Sequence, residues 1–253
     1  MDLISDSATS VDFSQKNVLT KGGLTIPYTK LVLATGGTPK RLPLPGFKEL
    51  KNIFVLRHIG DVRDILAAVG DENGKKIAVV GSSFIGMEVG NALSKQNSVS
   101  IIGMEKRPLE RIMGADVGKI FQSTLEKNGV QFYMAAAVES AVPSSSDSQT
   151  VGAVKLKDGT TVEADVVVLG VGVGPATEYL RDNSSIKLEK DGSVAVNEKF
   201  QAKGMDDVYA IGDIATYPYY GPDGNGTNVR IEHWSKSQSF VLLVTNCSIE
   251  GCI

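Results

Sequence analysis

The residues best suited to chemistry lie in Ile77-Ala-Val-Val-Gly81-Ser-Ser-Phe-Ile-Gly86-Met-Glu88. A β-branched run ends in the pattern G-x-S-x-x-G, with Ser83 where a second glycine often stands. Each position has a physical task. Gly81 permits a tight turn out of a strand, and the middle residue lets backbone N–H groups approach a pyrophosphate. Gly86 lets the following helix pack closely on the strand. Phe84 and Ile85 open that helix, whose first N–H groups and dipole favour phosphate. The strand and helix that such a dinucleotide fingerprint requires both flank it. A plain strand-to-helix turn is the simpler alternative. The short side chain of Ser83 crowds the turn without closing it.

A ribose-binding acid belongs about 20 residues further on. Position 103, just after the next strand, is instead glycine, followed shortly by Glu105-Lys106-Arg107. Glu105 could accept hydrogen bonds from ribose hydroxyls, and the two cations could meet a 2′-phosphate. The choice between NADH and NADPH therefore stays open, with NADH slightly favoured; a solvated loop would explain the same residues. Three other apolar runs end in small residues: Leu31-Val-Leu-Ala34-Thr35-Gly36-Gly37, Val166-Val-Val-Leu-Gly170-Val-Gly172-Val-Gly174-Pro175 and Val208-Tyr-Ala-Ile-Gly212-Asp213. Glycines at a strand end suit close approach of a ligand to backbone, and the carboxylate of Asp213 at a loop tip could accept hydroxyl hydrogen bonds. Taken singly, each is equally a turn.

The elements that must carry these residues follow from periodicity. Residues 30–35 read as a buried strand. Residues 53–69 read as a short strand and a helix with Ile59, Val62, Ile65, Leu66 and Val69 at helical spacing. Ile77–Val80 and Val99–Ile102 are strands, with a helix from about Phe84 to Lys95 between them. Asp116 is expected to cap a helix running to about Lys127, stopped by Gly129, before a strand at Val130–Tyr133. Ser144–Ser148 reads as a polar hairpin tip, and Val151–Leu156 and Val162–Leu169 bracket the turn signal Asp158-Gly159. Val208–Ile211 is a last short strand. Strand and helix alternating between 76 and 133 predict right-handed crossovers and a parallel sheet, with the later antiparallel strands as an appendage.

Together and in this order, these segments resemble the two-dinucleotide-binding flavoproteins. These are the pyridine-nucleotide-dependent flavin reductases, including ferredoxin and rubredoxin reductases and the apoptosis-inducing-factor-like proteins, and the last group looks most similar. The residues that carry the resemblance are Gly81-Ser-Ser-Phe-Ile-Gly-Met-Glu88, Val99-Ser-Ile-Ile-Gly-Met-Glu-Lys-Arg-Pro108, Gly129-Val-Gln-Phe132, Gly212-Asp213 and Glu232-His-Trp234, spanning roughly residues 25 to 236. The resemblance implies an α/β fold: a Rossmann-like NAD(P)-binding domain at 50–175 inserted in a partial FAD-binding domain at 1–49 and 176–253. It implies FAD and NAD(P)H as cofactors, hydride transfer from NAD(P)H to FAD, and electron transfer onward to an acceptor such as a ferredoxin-type iron–sulfur protein. Ala34, Thr35 and Gly36 match the passage near the flavin dinucleotide. Gly81, Ser83 and Gly86 match the NAD pyrophosphate turn, and Glu88 matches a glutamate near the nicotinamide. Gly172 and Pro175 match the loop beside the nicotinamide, Asp213 the acid holding the flavin ribityl and phosphate region, and His233 and Trp234 a stretch running past the isoalloxazine. No catalytic side chain and no metal is implied, because the cofactors supply the chemistry.

The sequence also departs from that family. Its first flavin motif is missing, Val241 stands where a glycine is usual, and Phe240–Val244 replaces small residues. The chain is therefore expected to be an internal piece of a reductase, a natural short product or an incomplete gene reading. A non-catalytic NAD(H)-binding module without stable FAD is the alternative.

Composition narrows the partners. With 26 Lys+Arg against 29 Asp+Glu, a net charge of −3 and no long run of either sign, nothing marks a nucleic-acid partner. The apolar run Phe240–Val244 falls far short of the ~20 residues of a membrane span, and the start of the chain shows no secretory signal. The only cysteines are Cys247 and Cys252. Their C-x4-C spacing occurs in flavin disulfide reductases at a flavin-proximal position, so its place here argues against dithiol substrates. Few cysteines favour a reducing, cytoplasmic setting, with mitochondria an option for a parent protein. NAD(P)H is the expected small-molecule partner, and dimerisation with a second copy is left open.

Overall fold

Lys76-Ile-Ala-Val-Val80 and Val166-Val-Val-Leu169 lack the polar alternation of a half-exposed strand. A strand buried on both faces reads this way. In the computed structural model, which describes residues 2–220 and 226–230, they are neighbours inside a five-stranded parallel sheet. Its order is Ile53–Val55, Val166–Leu169, Lys76–Val80, Ser98–Ile102 and Gln131–Tyr133. This sheet belongs to one of two compact units, residues 39–173; the other joins 1–38 with 174–253.

Alternation along the strands builds two apolar layers in the 39–173 unit. Ile77, Val79, Val99, Ile101, Val166 and Val168 pack with Ile65 and Val69 of the helix Ile59–Val69, Met87 and Val89 of the helix Phe84–Leu93, and Leu125 of the helix Ala115–Lys127. Ala78, Val80, Ile102, Val167 and Leu169 pack against an antiparallel sheet of Val138–Pro143, Val151–Leu156 and Thr161–Glu163. Full burial of each such Val, Leu or Ile is worth about 1.5–3 kcal/mol, so both covers are needed to seat the central sheet. The three layers are helix, parallel sheet and antiparallel sheet.

Three expectations change, and one element is added. The run from Val162 to Leu169 is not one strand. Thr161–Glu163 stays in the antiparallel sheet, while Val166–Leu169 joins the parallel one. Asp165 marks the division: its N–H donates to the Lys76 carbonyl, and its Oδ2 accepts the Lys76 N–H, both at 2.8 Å. Asp116 lies in the first helical turn, and Gly114 (φ +82°) is the cap residue. Of the apolar residues on the Ile59–Val69 helix, only Ile65 and Val69 are buried; Ile59, Val62 and Leu66 are 72%, 42% and 54% exposed. A four-residue helix, Glu110–Met113, follows Leu109, which is buried with a left-handed backbone (φ +59°).

The other unit carries a three-stranded antiparallel meander, Ala8–Asp12, Asn17–Thr20 and Thr25–Pro27, that periodicity did not suggest. It also holds a parallel pair, Leu31–Leu33 with Val208–Ala210, and a sheet of Val194–Ala195, Ala215–Tyr220 and Gly226–Arg230. Leu33, Leu180, Val194, Val196, Phe200 and Ile214 lie in its core. Its described residues include 3-10 turns at Glu178–Leu180 and Gly212–Ile214 but no α-helix. Glu232, His233, Trp234, Phe240–Val244, Cys247 and Cys252 lie outside the described residues.

Candidate nucleotide site

Because the central strands are parallel, their carboxyl ends open on one edge. There the chain leaves Val80 for residues 81–86, Ile102 for 103–107 and Leu169 for 170–172. Lys76–Val80 has its sequence successor, Ser98–Ile102, on one side and the much later Val166–Leu169 on the other. Open α/β sheets bind ligands at such a switch point. Gly81 donates its N–H to the Ile102 carbonyl at 2.8 Å, and Gly170 donates to Val80 at 2.7 Å.

The two fingerprint glycines are required by space. Gly81 has φ +117°, and a Cβ there would stand 2.2 Å from the Gly170 carbonyl oxygen. A Cβ on Gly86 would stand 1.9 Å from the Gly81 oxygen. Ser83 is the cap residue of the Phe84–Leu93 helix, and its hydroxyl makes no capping hydrogen bond; the helix ladder begins with Met87 N–H donating to the Ser83 carbonyl at 3.0 Å. Ser83, Phe84 and Ile85 are half-buried and Glu88 is exposed. Gly172 is exposed and has room for a side chain, so its φ of +89° is what calls for glycine.

The following loop explains why no acid ends the next strand. A Cβ at Gly103 would lie 2.4 Å from Ser82 Oγ and 2.9 Å from Met134 Cε. Glu105 is partly buried, and its Oε1 accepts from Arg111 Nε at 3.1 Å. Arg107 donates to Gln122 Oε1 at 3.0 Å, and its backbone N–H donates to Glu110 Oε2 at 3.0 Å. That ties Arg107 to the Ala115–Lys127 helix. Lys106 is exposed and forms no ion pair among the described residues. Leu109 clips the loop to the turn by donating its N–H to the Ser82 carbonyl at 2.9 Å.

In the other unit, register brings two expected segments together. Leu31 pairs with Val208 and Leu33 with Ala210, so Ala34-Thr35-Gly36 and Gly212-Asp213 leave the same end of a parallel pair. Gly36 turns at φ +72°, and its carbonyl accepts from Ala176 N–H at 3.0 Å. Thr35 Oγ1 donates to the Ala176 carbonyl at 2.7 Å and lies 3.5 Å from the Tyr179 hydroxyl. Burial pushes that phenol up from its ordinary value, and the Thr35 contact partly offsets the shift. Ala34 and Thr35 are exposed, while Asp213 is buried.

The sequence matches the family described as "Pyridine nucleotide-disulphide oxidoreductase" over residues 1–239. The chain belongs to this family. Among its relatives, mouse (Mus musculus) apoptosis-inducing factor 3 is 36% identical over 231 residues, covering 91% of this chain and 36% of the relative. Peroxisomal monodehydroascorbate reductase 1 of Arabidopsis thaliana is 32% identical over 222 residues, covering 85% and 49%. The crystal structure of the covalent putidaredoxin reductase–putidaredoxin complex matches with a TM-score of 0.82 at 26% identity, over 96% of this chain and 57% of that one. The chain thus spans about half, or less, of the curated relatives' lengths.

For this family member, the Gly81–Gly86 turn fits a dinucleotide diphosphate: its two glycines let a helix start abut a strand end. The flavin diphosphate fits less completely. Asp213 and the Ala34-Thr35-Gly36 turn share an edge, but the described residues of their unit offer no α-helix start. Among the described residues no cluster of His, Cys, Asp and Glu could hold a metal ion, and no helix is long and apolar enough to cross a membrane. Periodicity gave no reason to single out Ser82, Arg111 or Tyr179. Of these, only Ser82 carried a signal, as the variable position inside the fingerprint.

Proposed function

We propose that this chain is the nucleotide-handling part of an FAD-dependent NAD(P)H oxidoreductase that passes electrons to a redox acceptor such as a ferredoxin-type iron–sulfur protein. The observation that carries the reading is the Gly81–Gly86 turn at the switch point of a parallel sheet. In this reading the 39–173 unit binds NAD(P)H, and the 1–38 and 174–253 unit belongs to the flavin side. Family membership supports both assignments, and the complex of a related reductase with putidaredoxin supports a protein acceptor.

The residues divide the work as follows. Ser83 and the backbone of the Phe84–Leu93 helix start hold the diphosphate against the helix dipole. Gly172 leaves its loop without a side chain on the nicotinamide side, and Glu88 stands on the same helix as the turn. Asp213 accepts hydrogen bonds from ribityl hydroxyls, and Thr35 fixes the turn beside it. A flavin, when bound, supplies hydride acceptance and release of single electrons.

One observation favours a second reading, an NAD(H)-binding module without stable flavin: the missing α-helix start in the described part of the flavin-side unit. Anaerobic titration with NADH and NADPH, with and without added FAD, tests both. Nucleotide binding by calorimetry with bleaching of the visible flavin band supports the oxidoreductase. Binding without bleaching selects the module. A folded chain that binds neither nucleotide overturns both readings.

A further inference from the structure

In this chain the position from which a strand-end acid would reach an adenine ribose is closed, and the nearest carboxylate is already neutralised. Ser82 Cβ and Oγ would stand 2.8 and 2.4 Å from a Cβ at Gly103, so the Ser82 side chain fills the space that any residue at 103 needs. Ser82 is itself buried and held through its carbonyl by the Leu109 N–H. The next acid, Glu105, is only 25% exposed at its side chain and accepts from Arg111, which is 82% exposed. The cation therefore forms the solvent side of the pair. Lys106 adds a second exposed positive charge next to Glu105 in the chain, whereas Arg107 and Glu110 are engaged with Gln122 and with the Arg107 backbone.

Resting on the nucleotide-site reading above, we propose that Arg111 and Lys106, acting over a neutralised Glu105, set the coenzyme choice, and that the chain takes the 2′-phosphorylated dinucleotide NADPH at least as readily as NADH. Selection for NADH needs a bare carboxylate that accepts the ribose hydroxyls and repels a 2′-phosphate. A carboxylate held by a guanidinium repels weakly and has part of its acceptor capacity engaged. With Glu105 and Glu110 against Lys106, Arg107 and Arg111, this loop carries one net positive charge, which a 2′-phosphate complements. Such exposed charges act over a Debye length of about 8 Å at physiological salt.

Calorimetric titration of the full chain with NADH and NADPH at low and high salt tests the proposal, with 5′-AMP and 2′,5′-ADP as probes of the 2′-phosphate alone. NADPH should bind at least as tightly as NADH at low salt, and its advantage should shrink as salt rises. Arg111→Gln should cut the NADPH-to-NADH affinity ratio by about tenfold, an effect of the size expected for one surface charge at close range. Gly103→Glu alone should lower thermal stability. Combined with Ser82→Gly, which leaves only the flexible end of Met134, its Cε 2.9 Å from the new Cβ, to give way, it should fold and prefer NADH by about tenfold or more. A wild-type chain that binds NADH tighter than NADPH at low salt overturns the proposal, as does an Arg111→Gln variant with an unmoved ratio. If neither nucleotide binds the folded wild-type chain, the nucleotide-site reading itself falls and takes this inference with it; binding with an unmoved ratio removes the inference alone.

Discussion

Replacing Gly86 by alanine sets two opposing local effects against each other. Gly86 is the third residue of the Phe84–Leu93 helix, where alanine is a better helix former by at most about 1 kcal/mol. An isolated helix would therefore gain. In the fold, however, the new Cβ would stand 1.9 Å from the Gly81 carbonyl oxygen, 2.9 Å from its carbon and 3.5 Å from Val79 Cγ1. Real Cβ contacts stay above 3.0 Å, so helix and turn must part by about 1 Å in an interior that packs without slack. Overpacking of this kind costs about 1–3 kcal/mol, of which helix propensity returns at most about 1 kcal/mol. Binding should suffer more, because the displaced groups are those assigned above to the diphosphate. Two charge-assisted hydrogen bonds lost at about 1.5–3 kcal/mol each would lower affinity by a hundredfold or more. Thermal unfolding and calorimetric titration with NADH and NADPH read the two effects separately. A folded Gly86→Ala chain whose affinity stays within about threefold of wild type would refute the diphosphate assignment.

Other substitutions probe different links. Gly81→Val combines a φ of +117° with a Cβ 2.2 Å from the Gly170 oxygen, and backbone must move on both sides. We expect a loss of about 3 kcal/mol or more and broken cooperativity in the thermal melt; a wild-type melting temperature would count against it. Asp61 Oδ2 accepts the His58 and Arg57 N–H groups, each at 2.8 Å, and these bonds, the His58 one foremost, hold its carboxyl below the usual 3.8. Asp61→Ala should cost about 1 kcal/mol at neutral pH. Because the folded-state value is depressed, the penalty should be full above 3.8 and fade as pH falls below it. Denaturant melts at a series of pH values check this, and a penalty that persists in acid would contradict it. The 253-residue chain should purify with little FAD while keeping NAD(H) binding. Near-stoichiometric flavin after gel filtration would show that the flavin cradle is more complete than Asp213 and Thr35 make it.

What could be read from the residues was whatever repeats locally. The strand, glycine turn and helix around Gly81 follow from a β-branched run beside a helical period, and the structure places all three there. The division at Asp165 was hidden because Val162, Ala164 and Val166 alternate without a break, and only the Lys76 backbone, far away in sequence, pulls the second half into another sheet. Of the antiparallel cover, Val151–Leu156 was visible as a strand but not as part of a layer, since nothing in it names the face it will meet. The N-terminal meander has one buried residue in each of its first two strands, Val11 and Thr20, and none in the third, too little for periodicity to register. At the nucleotide edge, Gly103 stood out as a missing acid, but its cause is a tertiary neighbour, Ser82. The pairing of Glu105 with Arg111 obeys no helical or strand spacing that a pattern could flag.

Leu109 holds a left-handed backbone that costs an L-residue about 1–2 kcal/mol, and it does so while buried and bonded to the Ser82 carbonyl. The segment from Gly103 to Arg111 is consequently no interchangeable cassette. A transplanted loop from a relative would have to bring its own way of meeting Ser82, or it would pull on the turn proposed here to hold the diphosphate. If Lys106 and Arg111 set the coenzyme choice as proposed, changes of preference would fall on such exposed tips, where charge can change without moving the main chain. Redesign of this chain should proceed by the same narrow route.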